Sequence, residues 1–171
     1  MGALRLVAAC VVLVISGCAS LYTYEFQHDK SIKPLGKNKL SGRTLALDFS
    51  AVPENYITQG SGGNRFEVNG IRDSTERLTR NLFANEKWTS DPSKADYVLK
   101  LDLGLSLRAG RSNTRCEVRA RWNIIQRGKL VGDATANGAS AFPALGNGGR
   151  NCELASLEAI SNGLDAALNR M

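Results

Sequence analysis

A single histidine stands among the 171 residues, no two cysteines form a Cys-x-x-Cys pair, and no apolar run approaches the ~20 residues a membrane-spanning helix needs. Each shortage excludes a class of chemistry. One imidazole, His28, with no thiolate close to it in sequence, leaves a zinc site without ligands, so no metal is expected. The same shortage leaves a serine or cysteine nucleophile without a base, and the scattered acids offer no pair of carboxylates poised together. The missing Cys-x-x-Cys spacing argues against thiol redox work. Glycine is abundant in Gln59-Gly60-Ser61-Gly62-Gly63-Asn64, but no Gly-Lys-Ser/Thr follows and no helix starts at once, so this is not a phosphate-binding loop. The expectation is a protein that is not an enzyme and takes no cofactor.

What is present begins at the start of the chain. From Leu6 to Ile15 the residues read LVAACVVLVI, an apolar core of signal-peptide length preceded by Arg5. Ile15-Ser16-Gly17-Cys18 closes it and resembles the lipobox at which bacteria acylate a cysteine and cleave before it. That resemblance implies a signal peptide over 1–17 and a mature protein beginning at a diacylglyceryl Cys18 with a further acyl chain, such as palmitate, on its amine. Each buried methylene contributes ~0.8 kcal/mol, so several chains make the attachment effectively permanent. Ala19, where an aspartate would hold a Gram-negative lipoprotein in the inner membrane, implies the outer membrane and a domain facing the periplasm.

Once Cys10 leaves with the leader and Cys18 carries lipid, Cys116 and Cys152 remain together in an oxidising compartment, and a disulfide between them is expected. Two separately buried thiols are the alternative. The mature chain has 154 residues (171 minus 17), and its formal charge falls from +6 to +5 as Arg5 is lost. In that compartment a basic protein meets anionic envelope components or acidic protein patches rather than nucleic acid, unless the excess charge serves solubility alone.

Residues 18–42 are expected to be a tether, mostly exposed linker, with four lysines and no sustained period; fully extended it reaches on the order of 80 Å at ~3.3 Å per residue. Its aromatic patch LYTYEF is compatible with an added edge strand. The domain, 43–171, opens with Leu45, Leu47 and Phe49 alternating as a strand. Residues 50–66 are expected to be loop. Ile71, Thr75, Leu78 and Leu82 then mark a helix over 69–85 whose outer side carries Arg72, Glu76 and Arg80, Trp88 closes the core edge, and Asp91-Pro92 makes a capped turn. Leu99 to Leu107 and Cys116 to Ile124 alternate as two strands, and Gln126-Arg127-Gly128-Lys129 turns into a fourth strand from Leu130 to about Ala141. After a loop from Pro143 to Asn151, the stripe Leu154, Leu157, Ile160, Leu164 and Leu168 predicts a closing helix, weakened by Gly163.

The expected fold is therefore α+β, a two-layer sandwich in the order β-α-β-β-β-α, with two helices on one face of a four-stranded sheet. The uncovered face carries Lys100, Arg108, Arg115, Arg119 and Arg121 against Asp102 and Glu117, with Arg111 and Arg127 at the loops, and is the candidate binding face. The lipobox, the element order and the phrase Lys94-Ala95-Asp96-Tyr97-Val98-Leu99 entering a long strand resemble small Gram-negative envelope lipoproteins of the YajG type and, more distantly, the N-terminal domain of TolB and the α/β domain of CsgG. That resemblance implies an accessory role in envelope assembly or transport and supplies no catalytic residues. Self-association through strand edges is the alternative, and a cell-wall or lipid hydrolase a third reading. The lipobox makes the first prediction: Cys18→Ser stops radiolabelled palmitate entering the protein and releases it from the membrane fraction.

Overall fold

The computed structural model describes residues 21–27, 33–59, 64–109, 114–142 and 148–171. The leader, Cys18, His28, Arg111 and residues 60–63 and 143–147 lie outside the described residues. In chain order the described residues form β1 (Leu21–Glu25), β2 (Thr44–Ala51), β3 (Tyr56–Gln59), β4 (Arg65–Asn69), α1 (Ile71–Leu82) and β5 (Lys87–Trp88). A 3-10 turn (Pro92–Lys94), β6 (Tyr97–Ala109), β7 (Thr114–Gln126), β8 (Lys129–Phe142) and α2 (Gly148–Arg170) follow.

The main sheet has the order β5-β2-β6-β7-β8. Alternating leucines put Leu99, Leu101, Leu103 and Leu107 inside, and β7 answers with Cys116, Val118, Ala120, Trp122 and Ile124, all buried. β6, β7 and β8 form the expected antiparallel meander, while β2 lies parallel to β6 across the connection that contains α1. The fifth strand, β5, adds two residues to the other edge of β2. Trp88 in it stacks edge-on against Phe83 and beneath the Arg80 guanidinium, 4.8 Å from its ring centre. In the β7–β8 turn both Arg127 (φ 49°) and Gly128 (φ 76°) are left-handed, so an arginine as well as the glycine takes positive φ.

The closing helix sits differently from its leucine stripe. Leu154 is 38% exposed and Leu157 only half-buried; the face turned to the sheet is Cys152, Ala155, Ser156, Ala159, Ile160, Gly163, Leu164, Ala167 and Leu168. Opposite lies the inner side of β8, where Gly132, Ala134, Ala136, Gly138 and Ser140 are all small. A Cβ on Gly138 would stand 2.0 Å from the Ala155 carbonyl oxygen, and one on Gly132 2.6 Å from that of Ala167. Helix and strand backbones are thus in direct contact. Gly163, which alone would weaken the helix, leaves room for Trp122, whose indole N–H donates to the Ile160 carbonyl at 3.0 Å. Cys116 on β7 and Cys152 on α2 are joined in a disulfide closing a separation of 36 residues, worth about 4 kcal/mol in the chain-entropy account.

The single four-stranded sheet expected from the sequence is corrected to a five-stranded sheet and a separate three-stranded one, ordered β1-β4-β3. Two of its strands lie in the segment expected to be loop, 50–66 with its continuation to Asn69, and the third in the segment expected to be mostly exposed linker. β1, the aromatic patch of the supposed tether, is the edge strand its composition allowed and pairs in parallel with β4 over five residues. Phe26 and Leu40 are core residues, 2% and 0% exposed, and the Leu35 N–H donates to the Leu82 carbonyl at 2.7 Å. The physical reason is mutual: YITQ and RFEVN are too short to hold as an isolated hairpin, and β1 supplies the missing strand and the Tyr22 ring stacked on Phe66. Tyr24 donates its hydroxyl to Glu153 on α2, and burial together with that hydrogen bond pushes its pKa up to about 12.

These contacts predict opposite outcomes for two glycines of the same sheet. Gly138→Ala collides with α2 backbone and is expected to lose about 1–3 kcal/mol of unfolding free energy in urea titration. Gly104→Ala points into open space and is expected to stay within ~0.5 kcal/mol of the parent.

Candidate functional site

The pleat that buries the leucines of β6 turns Lys100, Asp102, Gly104, Ser106 and Arg108 outward, and β7 turns out Arg115, Glu117, Arg119, Arg121 and Asn123. Uninterrupted antiparallel pairing from Val98–Ile125 to Ala109–Thr114 sets them in rows: Arg108 beside Arg115, Ser106 beside Glu117, Gly104 beside Arg119, Asp102 beside Arg121 and Lys100 beside Asn123. β8 extends the rows with Ala139, Asn137, Thr135 and Asp133. All five expected cations therefore share one sheet face.

They are not equivalent. Lys100 Nζ lies 3.0 Å from Asp48 on β2, and Arg115 Nε lies 3.0 Å from Glu117. Arg108, Arg119 and Arg121 are exposed and make no ion pair among the described residues. Arg119 stands opposite Gly104, which has no atom within 4 Å of where a side chain would begin, so its guanidinium has free space across the strand. Gly104, Ser106, Arg115, Glu117, Arg119, Asn137, Ala139 and Glu158 line a shallow groove of about 640 Å³. Glu158 reaches over from α2 to accept the Ala139 N–H at 3.3 Å, occupying one donor on the free edge of β8.

Two acids missed in the sequence, Asp48 and Asp133, also face outward and divide the surface. Asp48 was legible from the alternation of β2; Asp133 was not, because its neighbours Gly132 and Ala134 give no hydrophobic period. The end formed by Arg108, Arg115, Arg119 and Arg121 against Glu117 and Asp102 is positive, and the end holding Lys100 between Asp48 and Asp133 is not. An exposed arginine cluster of this kind binds carboxylate or phosphate oxygens through bidentate hydrogen bonds. Among the described residues no group of three or more His, Cys, Asp or Glu side chains is placed to hold a metal ion, and no helix is long and apolar enough to cross a membrane.

The polar side of α1 is paired with its own neighbours. Arg80 bonds Glu76 at 2.8 Å, one of the two pairings its spacing allows, while Arg72 bonds Glu54 at 2.8 Å and the Val52 carbonyl at 2.9 Å. Asp91 caps the 3-10 turn as expected, accepting the Ser93 N–H at 3.0 Å.

No family model matches the chain, and no curated protein matches it in sequence. In fold it is similar to a Xanthomonas campestris protein of the DUF330 family, known from a crystal structure, with a TM-score of 0.59 and 11% identity over 89% of this chain and 97% of that one. The α+β architecture is shared with that protein. A minor lipoprotein from Acinetobacter baumannii overlays at a TM-score of 0.38 and 18% identity, covering 80% of this chain and 82% of that one, too loosely to define a common fold.

The pairing of Lys100 with Asp48 yields a pH prediction. The Ser50 hydroxyl, 2.7 Å away, holds the Asp48 carboxyl below its usual range; partial burial opposes this and Lys100 adds to it. A depressed folded-state value contributes stability that is complete above the unfolded value and is lost as pH falls through the folded one. Asp48→Asn is therefore expected to cost less than about 1 kcal/mol at pH 7 for so exposed a pair. In urea titrations across pH that difference closes in acid.

Proposed function

We propose that this protein is a lipid-anchored, non-catalytic binding module of the Gram-negative outer membrane. Its periplasmic domain serves envelope assembly or transport, as the YajG-type and TolB-like resemblance implies, by holding an anionic envelope component or an acidic protein surface. The observation that carries the reading is the trio Arg108, Arg119 and Arg121, exposed and without ion pairs among the described residues, at a groove on the open sheet face. The lipobox at Cys18 supports the location, and a groove that sets Arg115, Arg119, Glu117 and Asn137 beside Leu105 and Val118 suits recognition of a partner surface.

A second reading, self-association, draws support from β8, a 14-residue strand on the sheet edge. In it the module builds a ring or filament of its own copies.

A photocrosslinking residue in place of Thr135, beside Arg121, separates these readings in living cells. The expected result is a discrete adduct with another molecule that Arg119→Glu with Arg121→Glu removes, while the same residue in place of Arg77 on exposed α1 surface yields none. Adduct formation that survives charge reversal rejects the face, and an adduct of twice the chain mass favours self-association. Exposed substitutions of this sort change stability by no more than ~0.5 kcal/mol, so lost capture does not report unfolding.

A further inference from the structure

We propose that the three-stranded sheet is the surface on which this domain rests against the lipid headgroups, so that the protein lies flush with its membrane instead of hanging from a long tether. The inference deepens the preceding reading and rests on acylation of Cys18. Its basis is covalent reach. Leu21 is the first residue of β1, three residues beyond Cys18, and three residues span at most about 11 Å. β1 itself is held: it pairs with β4 over five residues, and Tyr24 bonds Glu153 and lies so close to Gly149 that a Cβ there would fall 2.1 Å from its own. Of the segment expected to give on the order of 80 Å of slack, β1, Phe26 and Leu40 are built into the fold.

The surface this brings to the bilayer has suitable chemistry. β1, β4 and β3 bury Tyr22, Tyr24, Phe66 and Val68 on one side and turn Leu21, Thr23, Arg65, Glu67 and Ile57 to the other. Leu21 and Ile57 are 58% and 50% exposed, and nothing among the described residues covers that side of the sheet. The row nearest the anchor joins Leu21, Arg65 and Gln59, an aliphatic side chain beside a cation, whereas Glu25 lies at the far end of β1 and receives the Asn69 amide. Glu67 is the acid within the patch.

The small sheet also abuts the positive end of the main one. The Leu107 N–H donates to Tyr56 at 3.3 Å, and Gly148 approaches Phe66, Thr114 and Leu107 together. Arg108 follows Leu107 and Arg115 follows Thr114 of that junction, and Arg150 stands on the first turn of α2 beside it. Exposed Arg65, Arg108 and Arg150 thus lie toward the anchored end, where anionic headgroups contribute about 1 kcal/mol each; Arg115 beside them is paired with Glu117. The Arg127-Gly128 turn is at the opposite end of β7, a 13-residue strand about 40 Å long.

The test uses the full acylated protein in vesicles of phosphatidylethanolamine and phosphatidylglycerol containing headgroup-nitroxide lipid. With Cys18 acylated and Cys116 bonded to Cys152, one introduced cysteine takes a fluorophore alone. The expected result is quenching several-fold greater at Ile57→Cys and Thr23→Cys than at Arg127→Cys. Equal or reversed quenching in protein that still floats with the vesicles overturns the docking and leaves the anchor standing. Protein that neither floats nor incorporates palmitate overturns both. Shielding of position 57 in detergent that grows with protein concentration assigns the surface to a second copy and also overturns the proposal.

Discussion

The direct seating of α2 on β8 is the contact on which the rest of this structure depends. Here Gly132 and Gly138 let backbone approach backbone, and Gly163 makes room for the Trp122 ring. That proximity brings Cys152 against Cys116, the Trp122 indole to the Ile160 carbonyl, and the Asn151 amide to the Thr114 carbonyl at 2.8 Å. It also fixes the first turn of α2, against which Tyr24 and Phe66 of the small sheet close. A covalent bond near the start of α2 and a fully buried tryptophan against its middle thus reinforce the same interface.

The second consequence of that seating is the fate of the chain after Cys18. A segment with four lysines, a proline and little period has the composition of a linker, and on its own it would be one. Once α2 and β4 present a partly completed apolar surface, Phe26 and Leu40 are buried against it and Tyr22 and Tyr24 partly so, which offsets part of the backbone freedom that the segment loses. Under the proposed acylation, a tether absorbed in this way converts a lipid anchor into an orientation.

The outward face of the main sheet shows why summed charge describes a surface poorly. Five cations occupy it, yet two are engaged by Asp48 and Glu117, and Asp133 offsets the charge further along. The polarity that remains is local, concentrated in the rows of Arg108, Arg119 and Arg121, and it lies toward the end that adjoins the small sheet. The proposed partner surface and the proposed membrane surface are consequently neighbours.

Much of this was legible in the residues. Strict alternation from Leu99 to Leu107 and from Cys116 to Ile124 determined β6, β7, their inner and outer faces and the five cations, because a two-residue period admits one such arrangement on a half-buried sheet. The four- and three-residue spacings of Ile71, Thr75, Leu78 and Leu82 likewise determined α1. What the tertiary structure alone decided was the second sheet, the burial of the supposed linker and the side on which α2 docks. Short strands such as YITQ acquire partners only when distant chain arrives, and a docking face built from glycine and alanine carries no hydrophobic signal until another backbone is pressed against it.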